Sequence, residues 1–201
     1  KRVEKIIIEE LSKSKKNFSF LTEETGTILN KNKDIIWIID PIDGTTNFLH
    51  GIPHFAISLA LQKDGEIIIG LIYDAIKNEI FYAEKNNGSF INNNRIRVSN
   101  KIDLDQCLFA SNSTGIKSVY PKLNLRNSGC AALDLAYVGC GRLDGYFHNR
   151  INIWDVAAGK IIVEEAGGKV NNINNFEIEK IDIRAGNSNI YEKMLKKLDK
   201  F

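Results

Sequence analysis

Apolar residues recur near the start of the chain with a helical period. The stripe predicts an amphipathic helix, and it consists of Val3, Ile6, Ile7, Ile8 and Leu11. Phe18 to Leu21 then has the pattern of a short strand. Ile35 to Ile39 is an apolar run rich in β-branched residues, and it ends in Asp40. This run predicts a buried strand that delivers Asp40 to its carboxyl end.

The middle of the chain, from Phe55 to Ser99, alternates apolar runs with turn residues. The turns are expected at Lys63-Asp64-Gly65, at Lys85-Asn86-Asn87-Gly88 and at Asn92-Asn93-Asn94. Closely spaced strands joined by such turns predict an antiparallel meander.

The pattern changes near Leu104 to alternating strands and helices. Helices are predicted at 131–138 and 156–166, the second closed by Gly167-Gly168. We therefore predict an α/β fold of alternating helix and sheet layers. Residues 1–104 would form a half built on an antiparallel sheet, and residues 105–201 a mixed α/β half.

Composition narrows the function classes. A chain of 201 residues can bury a substantial core, and its net charge of +2 gives no argument for nucleic acid or an acidic membrane as partner. The apolar runs are too short to span a bilayer and no leader pattern opens the chain, so we expect a soluble, cytoplasmic protein. Three cysteines without a Cys-x-x-Cys pair favour structural thiols over a disulfide framework or a zinc site.

The strongest candidate for chemistry is the acidic loop from Asp40 to Asn47. Asp40 and Asp43 stand three residues apart, and hard divalent cations prefer such oxygen clusters. Gly44 permits close approach of a ligand, and the Gly44 and Thr45 amides would present donors to a phosphate if they open a helix. Two alternatives exist. One is a capped Asp-Pro turn. The other is the aspartyl-nucleophile loop of haloacid-dehalogenase-like phosphatases, whose i, i+2 spacing does not match.

Two further acids extend this candidate site. Glu23 follows the Phe18 to Leu21 strand, so an adjacent strand end could bring it to Asp40; its alternative is a solvated acidic pair with Glu24. Asp155 lies at the predicted start of a helix, where simple capping is the ordinary interpretation. Capping and metal ligation are compatible because a carboxylate has two oxygens.

Together these segments resemble the inositol monophosphatase family over nearly the whole chain. The resemblance is carried by Asp-Pro-Ile-Asp-Gly-Thr-Thr-Asn-Phe at 40–48, by Trp154-Asp155 and by Glu-Ala-Gly-Gly at 165–168. It implies a phosphatase that binds two or three Mg²⁺ ions through Glu23, Asp40, the Ile42 carbonyl, Asp43 and Asp155. It also implies catalytic roles for Glu23, Asp43 and Thr45, with the first and last polarising the attacking water. The resemblance implies that no phosphoenzyme forms. It also implies that the enzyme is sensitive to lithium and forms a homodimer.

The resemblance also suggests substrate contacts. These are Asp43, Gly44, Thr45, Gly129, Cys130, Ala131, His148 and Asp155. For Cys130, and for Ala132 in the same segment, the packing of small residues at a helix start is an equal alternative. His148 stands where inositol-cleaving members usually carry a glutamate, which leaves the substrate open.

Other activities of the same superfamily remain open. Besides inositol phosphate, the substrate could be another sugar phosphate, histidinol phosphate, fructose-1,6-bisphosphate or a 3′-phosphoadenosine nucleotide. A bisphosphatase would need a basic pocket, for which the candidates are Arg126, Arg142 and Arg150. A role of another class is binding to RNA polymerase, which the resemblance to bacterial members suggests.

Overall fold

Asp40 lies in an eight-stranded sheet formed by the first half of the chain. The computed structural model describes residues 1–14, 17–113, 123–173 and 180–198. In chain order, the elements of this half are α1 (Arg2–Ser14), β1 (Phe18–Thr22), β2 (Gly26–Ile28), β3 (Asn32–Asp43), α2 (Thr45–Leu49), β4 (Ala56–Lys63), β5 (Glu66–Asp74), β6 (Glu79–Glu84), β7 (Gly88–Ile91) and β8 (Asn94–Arg95). The strand order is β2-β1-β3-β4-β5-β6-β7-β8.

The pairing of β1 with β3 brings two distant acids together. The two strands are parallel, with Thr22 opposite Ile39. Glu23 and Asp40 therefore follow directly at the same end of neighbouring strands, as the apolar runs predicted. The meander of β4 to β8 is antiparallel throughout, which confirms the second prediction.

Strand β3 is longer than the apolar run that predicted it. It continues to Asp43, with a register shift against β4 between Asp40 and Asp43. The extra residue opposite β4 forms a bulge, and a bulge tolerates Pro41, which has no N–H to donate to the ladder. The bend re-aims the carboxylates at the strand end.

The second half forms a five-stranded sheet with order β10-β9-β11-β13-β12. After the short 3₁₀ helix Leu104–Gln106, its elements are β9 (Leu108–Ala110), β10 (Asn124–Arg126), α3 (Ala131–Gly139), β11 (Gly145–Ile151), α4 (Ile153–Glu165), β12 (Gly168–Val170), β13 (Ile181–Asn187) and α5 (Tyr191–Leu198). Helix α3 matches its prediction. Helix α4 begins at Ile153, three residues before the predicted start, because Asn152 is the N-cap and the Ile153 side chain is buried in the core.

The layers alternate between helix and sheet, as predicted. Helices α3 and α4 pack on each other and contact both sheets, while α1 packs on β1 and β3 and α5 on β13. One continuous core joins the two halves, and its largest side chains include Phe81, Leu133, Tyr146 and Ile162. All strands of the first sheet precede residue 104 in the sequence, and all strands of the second sheet follow it. A division into two domains at this residue stays a prediction. Within the described ranges, no helix is long and apolar enough to cross a membrane.

Candidate metal centre

Three aspartates meet where β3 ends beside the first turn of α4. Asp40, Asp43 and Asp155 each offer a carboxylate oxygen, and these three atoms lie within 4.8 Å of one another. Asp40 and Asp43 are buried, at 1% and 9% exposure, and Asp155 is half-buried. The sequence placed these residues in one site, and the structure brings them together.

Local hydrogen bonds shape the acidic loop. The Ile42 amide donates to Asp40 Oδ1 at 2.9 Å, and Thr45 Oγ1 donates to the Ile42 carbonyl at 2.8 Å. Gly44 is left-handed, with φ of 87°, and it is the residue from which α2 begins. The Asx turn of Asp40 therefore coexists with the carboxylate cluster, since a carboxylate has a second oxygen, whereas the N-cap of α2 is Gly44, which has no side chain that could cap the helix.

Asp43 is held by the start of helix α3. The Ala132 amide donates to Asp43 Oδ2 at 2.6 Å, and Cys130 Sγ lies 3.2 Å from the same oxygen. Amides in the first turn of a helix have no partner within the helix and attract negative charge. The Cys130 side chain is fully buried, and its thiol faces Asp43. Substrate contact by Gly129, Cys130 and Ala131 stays a prediction.

Asp155 lies in the first turn of α4, where it forms a capping box with the N-cap residue Asn152, as the capping interpretation predicted. The Asn152 amide donates to Asp155 Oδ2 at 3.3 Å. The carbonyl of the preceding residue, Trp154, accepts a hydrogen bond of 3.2 Å from Ser58 Oγ on β4. This bond ties the start of α4 to the strand beside β3, and thereby fixes Asp155 relative to Asp40.

Glu23 approaches the cluster from the exposed turn after β1. Its amide donates to the Ile39 carbonyl at 3.2 Å. Glu23 is not one of the three acids within 4.8 Å of one another, yet a hydrogen bond to Asp40 acts to lower the pKa of its side chain. Burial outweighs this bond, so that the pKa of Glu23 is raised overall. The turn therefore places Glu23 beside the aspartates but outside their closest group.

Burial and mutual repulsion dominate the electrostatics. Burial, followed by the charges of Asp43, Glu23 and Asp155, raises the pKa of Asp40 to about 10. Burial also raises the pKa of Asp155 to about 7 and that of Asp43 to about 6, the latter despite the bonds from Ala132 and Cys130. The folded protein thus concentrates acids that a nearby positive charge would keep ionised.

The chemistry of this donor set fits a hard divalent cation. Its ligands are carboxylate oxygens, with the Ile42 carbonyl in the same loop, and such all-oxygen sets suit Mg²⁺, Ca²⁺ or Mn²⁺ better than zinc or copper. A bound cation would also offset the burial and the repulsion that raise the pKa values of the three aspartates. The cluster is therefore able to bind metal.

Two other candidate substrate residues, His148 and Arg142, have contacts of their own. His148 lies on β11, where burial and Arg184 lower its pKa and its carbonyl accepts a bond from Arg184 Nη1. Arg142 forms a two-pronged ion pair with Glu79, with both N–O distances at 2.6 Å. A second-phosphate pocket around that arginine would have to displace Glu79.

Sequence patterns gave no role to some residues that organise the site. Asn47 is buried, and its amide nitrogen donates to the His54 carbonyl at 2.8 Å and to the Ser128 carbonyl at 2.9 Å. It thereby ties α2 to the segment before α3. The bond from the Ala132 amide to Asp43 was not foreseen either, since Ala132 was expected to contact the substrate or to pack at the helix start.

Comparison with known proteins agrees with this geometry. The model of the inositol monophosphatase family matches residues 1–200. An inositol-1-monophosphatase of Mesorhizobium japonicum is 37% identical over 215 residues, which cover all of this chain and 81% of that protein. The Nus factor SuhB of Pasteurella multocida is 42% identical over 190 residues, covering 87% of this chain and 70% of that protein.

Solved structures give the same result. The crystal structure of the extragenic suppressor protein suhB from Bartonella henselae superposes with a TM-score of 0.90 at 44% identity, covering 98% of this chain and 85% of that one. The aspartate cluster lies in a chain whose whole length matches these proteins. The chain therefore belongs to the inositol monophosphatase family and is a metal-dependent phosphoric monoester hydrolase.

Proposed function

We propose that the chain hydrolyses phosphate monoesters of inositol or of a related sugar and that its metal is Mg²⁺. The observation that carries the proposal is the group of three aspartates whose oxygens lie within 4.8 Å of one another. The names of relatives such as the inositol-1-monophosphatase of Mesorhizobium japonicum support the substrate class.

The residues would divide the work as follows. Asp40, Asp43, Asp155 and the Ile42 carbonyl would hold two or three Mg²⁺ ions together with Glu23. Bound cations would supply positive charge that stabilises the charge developing on the phosphoryl oxygens. Burial, the largest influence on the side chain, raises the pKa of Glu23, which makes its carboxylate a better acceptor for a proton of the attacking water.

The Thr45 hydroxyl would orient the same water. It lies against the Ile42 carbonyl, to which it donates, and its oxygen keeps lone pairs free to accept. Asp43 would also take part in catalysis, at the metal centre. Because water is the proposed nucleophile, we expect no covalent phosphoenzyme. Gly44, Thr45, the segment 129–131 and His148 are proposed substrate contacts, together with Asp43 and Asp155.

A panel of phosphate monoesters tests the proposal. Phosphate release would be measured with Mg²⁺ and with EDTA, using inositol phosphates, sugar phosphates, fructose-1,6-bisphosphate, histidinol phosphate and 3′-phosphoadenosine nucleotides. We expect EDTA and Asp43→Ala each to abolish release, and Asp34→Ala, an exposed aspartate at the start of the same strand, to leave it unchanged. Activity that survives EDTA or Asp43→Ala would contradict the mechanism.

A second candidate is binding to the transcription machinery. Relatives that carry the name Nus factor SuhB, such as that of Pasteurella multocida, favour it. Binding of RNA polymerase by the double variant Asp40→Asn, Asp155→Asn would indicate a role separate from catalysis. Absence of binding by the unaltered chain would remove this candidate.

Three properties expected from the family accompany the proposal. They are a homodimer, sensitivity to lithium and a cytoplasmic location. Sedimentation analysis and phosphate release in the presence of LiCl test the first two directly.

A further inference from the structure

Helix α1 contains a buried glutamate among exposed ones. The Glu4 side chain is only 2% exposed, whereas Glu9 and Glu10 on the same helix are exposed and form ion pairs with Lys5 and Lys13. A buried carboxylate is unfavourable unless it accepts hydrogen bonds. The hydrogen-bond donors that contact Glu4 therefore indicate its structural role.

Both partners of Glu4 belong to the turn that carries Glu23. Glu4 Oε2 accepts a hydrogen bond of 3.0 Å from the Glu24 amide, and Glu4 Oε1 accepts one from the Thr25 hydroxyl. Hydrogen bonds to a charged acceptor are stronger than those between neutral groups. Two oxygens of one rigidly placed carboxylate thus hold two successive residues of the turn.

The other hydrogen bonds of this turn are longer. The Glu23 amide lies 3.2 Å from the Ile39 carbonyl, and the Thr25 amide lies 3.3 Å from Thr22 Oγ1. The side chains of Glu23, Glu24 and Thr25 are exposed, so packing contributes little to the position of the turn. Its conformation therefore depends strongly on Glu4.

The position of the turn matters because the Glu23 side chain is exposed, and its residue is held mainly by backbone pairing to Ile39 and by the β1–β2 hairpin that the turn closes. Asp40 and Asp43 lie on a strand paired on both sides, and Asp155 on a helix packed in the core. We infer that Glu4 is a positioning residue, which fixes the turn after β1 so that Glu23 faces Asp40. This inference rests on the proposed role of Glu23 in hydrolysis and metal binding.

Two substitutions of Glu4 separate positioning from charge. Glu4→Ala removes both acceptors. Glu4→Gln retains the length of the side chain, and its amide can accept from the Glu24 amide and donate to the Thr25 oxygen, which is able to accept. We expect Glu4→Ala to lower Mg²⁺-dependent kcat about 10- to 100-fold and to raise the Mg²⁺ concentration for half-maximal activity, as loss of other supporting residues does. Glu4→Gln should retain a kcat within about threefold of that of the unaltered enzyme, since a hydrogen bond to each partner can still form.

A double-variant cycle tests whether Glu4 acts through Glu23. In a Glu23→Ala background, a positioning residue has nothing left to position, so Glu4→Ala should cause no further loss. A further loss of the same size as in the unaltered enzyme would overturn the inference. Full activity of Glu4→Ala, with Glu23→Ala inactive, would also overturn it while leaving the proposed function intact. Full activity of Glu23→Ala would instead refute the role of Glu23.

Two more variants guard the interpretation. Glu9→Ala removes an exposed acid from the same helix and should leave kcat and the Mg²⁺ requirement unchanged. If Glu4→Ala fails to fold, Thr25→Val removes one donor to Glu4 from an exposed position, and a loss of about threefold in kcat is expected. Unchanged kcat and Mg²⁺ requirement of Thr25→Val would then count against positioning by these hydrogen bonds.

Discussion

Replacing Asp40 by asparagine should stabilise the protein when metal is removed. Asp40 is 1% exposed, and burial and the neighbouring carboxylates raise its pKa to about 10. At pH 7 the unfolded chain carries Asp40 ionised, whereas the folded protein without metal carries it protonated. Folding must therefore take up a proton against the ordinary pKa of 3.8, and the asparagine side chain of the variant would be neutral in both states.

The magnitude follows from the pKa difference. Roughly three pH units separate 3.8 from pH 7, which corresponds to about 4 kcal/mol at ~1.4 kcal/mol per unit. Part of this gain is offset if the asparagine amide hydrogen-bonds less well than the protonated carboxyl, so we expect about 2 to 4 kcal/mol. For a chain of this size that raises Tm by roughly 5 to 15 °C.

Magnesium should cancel most of this difference in stability. A ligand at one hundred times its Kd stabilises the folded state by about 2.7 kcal/mol, and the variant lacks a ligand for it. Thermal unfolding would be followed for both proteins in EDTA and in Mg²⁺. Asp34→Asn, on the exposed start of the same strand, is the matched control and should behave as the unaltered chain. A lower stability of Asp40→Asn in EDTA, or equal stabilisation of both proteins by Mg²⁺, would contradict this prediction.

Three further predictions concern the same site. Because the pKa values of the three aspartates are raised, protons compete with metal for the carboxylates. The apparent Kd for Mg²⁺ should therefore rise about tenfold per pH unit for each displaced proton as the pH falls from about 8 to about 6. Calorimetry that finds the same Kd across this range would contradict the prediction. Gly44→Ala should lower Mg²⁺-dependent activity at least about tenfold, because a Cβ at this position would lie 3.1 Å from the His54 carbonyl oxygen. The control is Gly51→Ala, which is also at positive φ but has open space around it, and it should affect stability alone. Cys130→Ala should weaken Mg²⁺ binding by about 1 kcal/mol through the lost bond to Asp43, while Cys130→Ser, titrated in parallel, should bind normally.

The part of the site that could be predicted from sequence lies close together along the chain. An apolar run ending in Asp40, with Asp43 and Gly44 next, is a local pattern, and strand β3 followed by α2 confirms it. Glu23 could be placed there because it also ends an apolar run and parallel neighbours end at one edge. Asp155 needed the resemblance to a family, since nothing local distinguishes a ligand from a cap.

What sequence could not predict depends on three-dimensional packing. The bulge in β3 arises from pairing with β4, and the early start of α4 depends on where Ile153 finds the core. The role of Glu4 is equally hidden, because in sequence it is one of several acids in an amphipathic helix. Its burial appears only when α1 meets the turn after β1.

The four acids are supported in two different ways, and their electrostatics explain why. Burial is the largest cause of the raised pKa values of Asp40 and Asp155, and the charge of Asp43 raises both further. Once ionised, these carboxylates would separate unless the backbone beneath them were rigid, and all three aspartates are carried by a central strand and a core helix. Glu23 lies on an exposed turn that packing does not hold, so directed hydrogen bonds must replace burial. Metal affinity should therefore respond to changes in the core and in α1 through different residues of the same site.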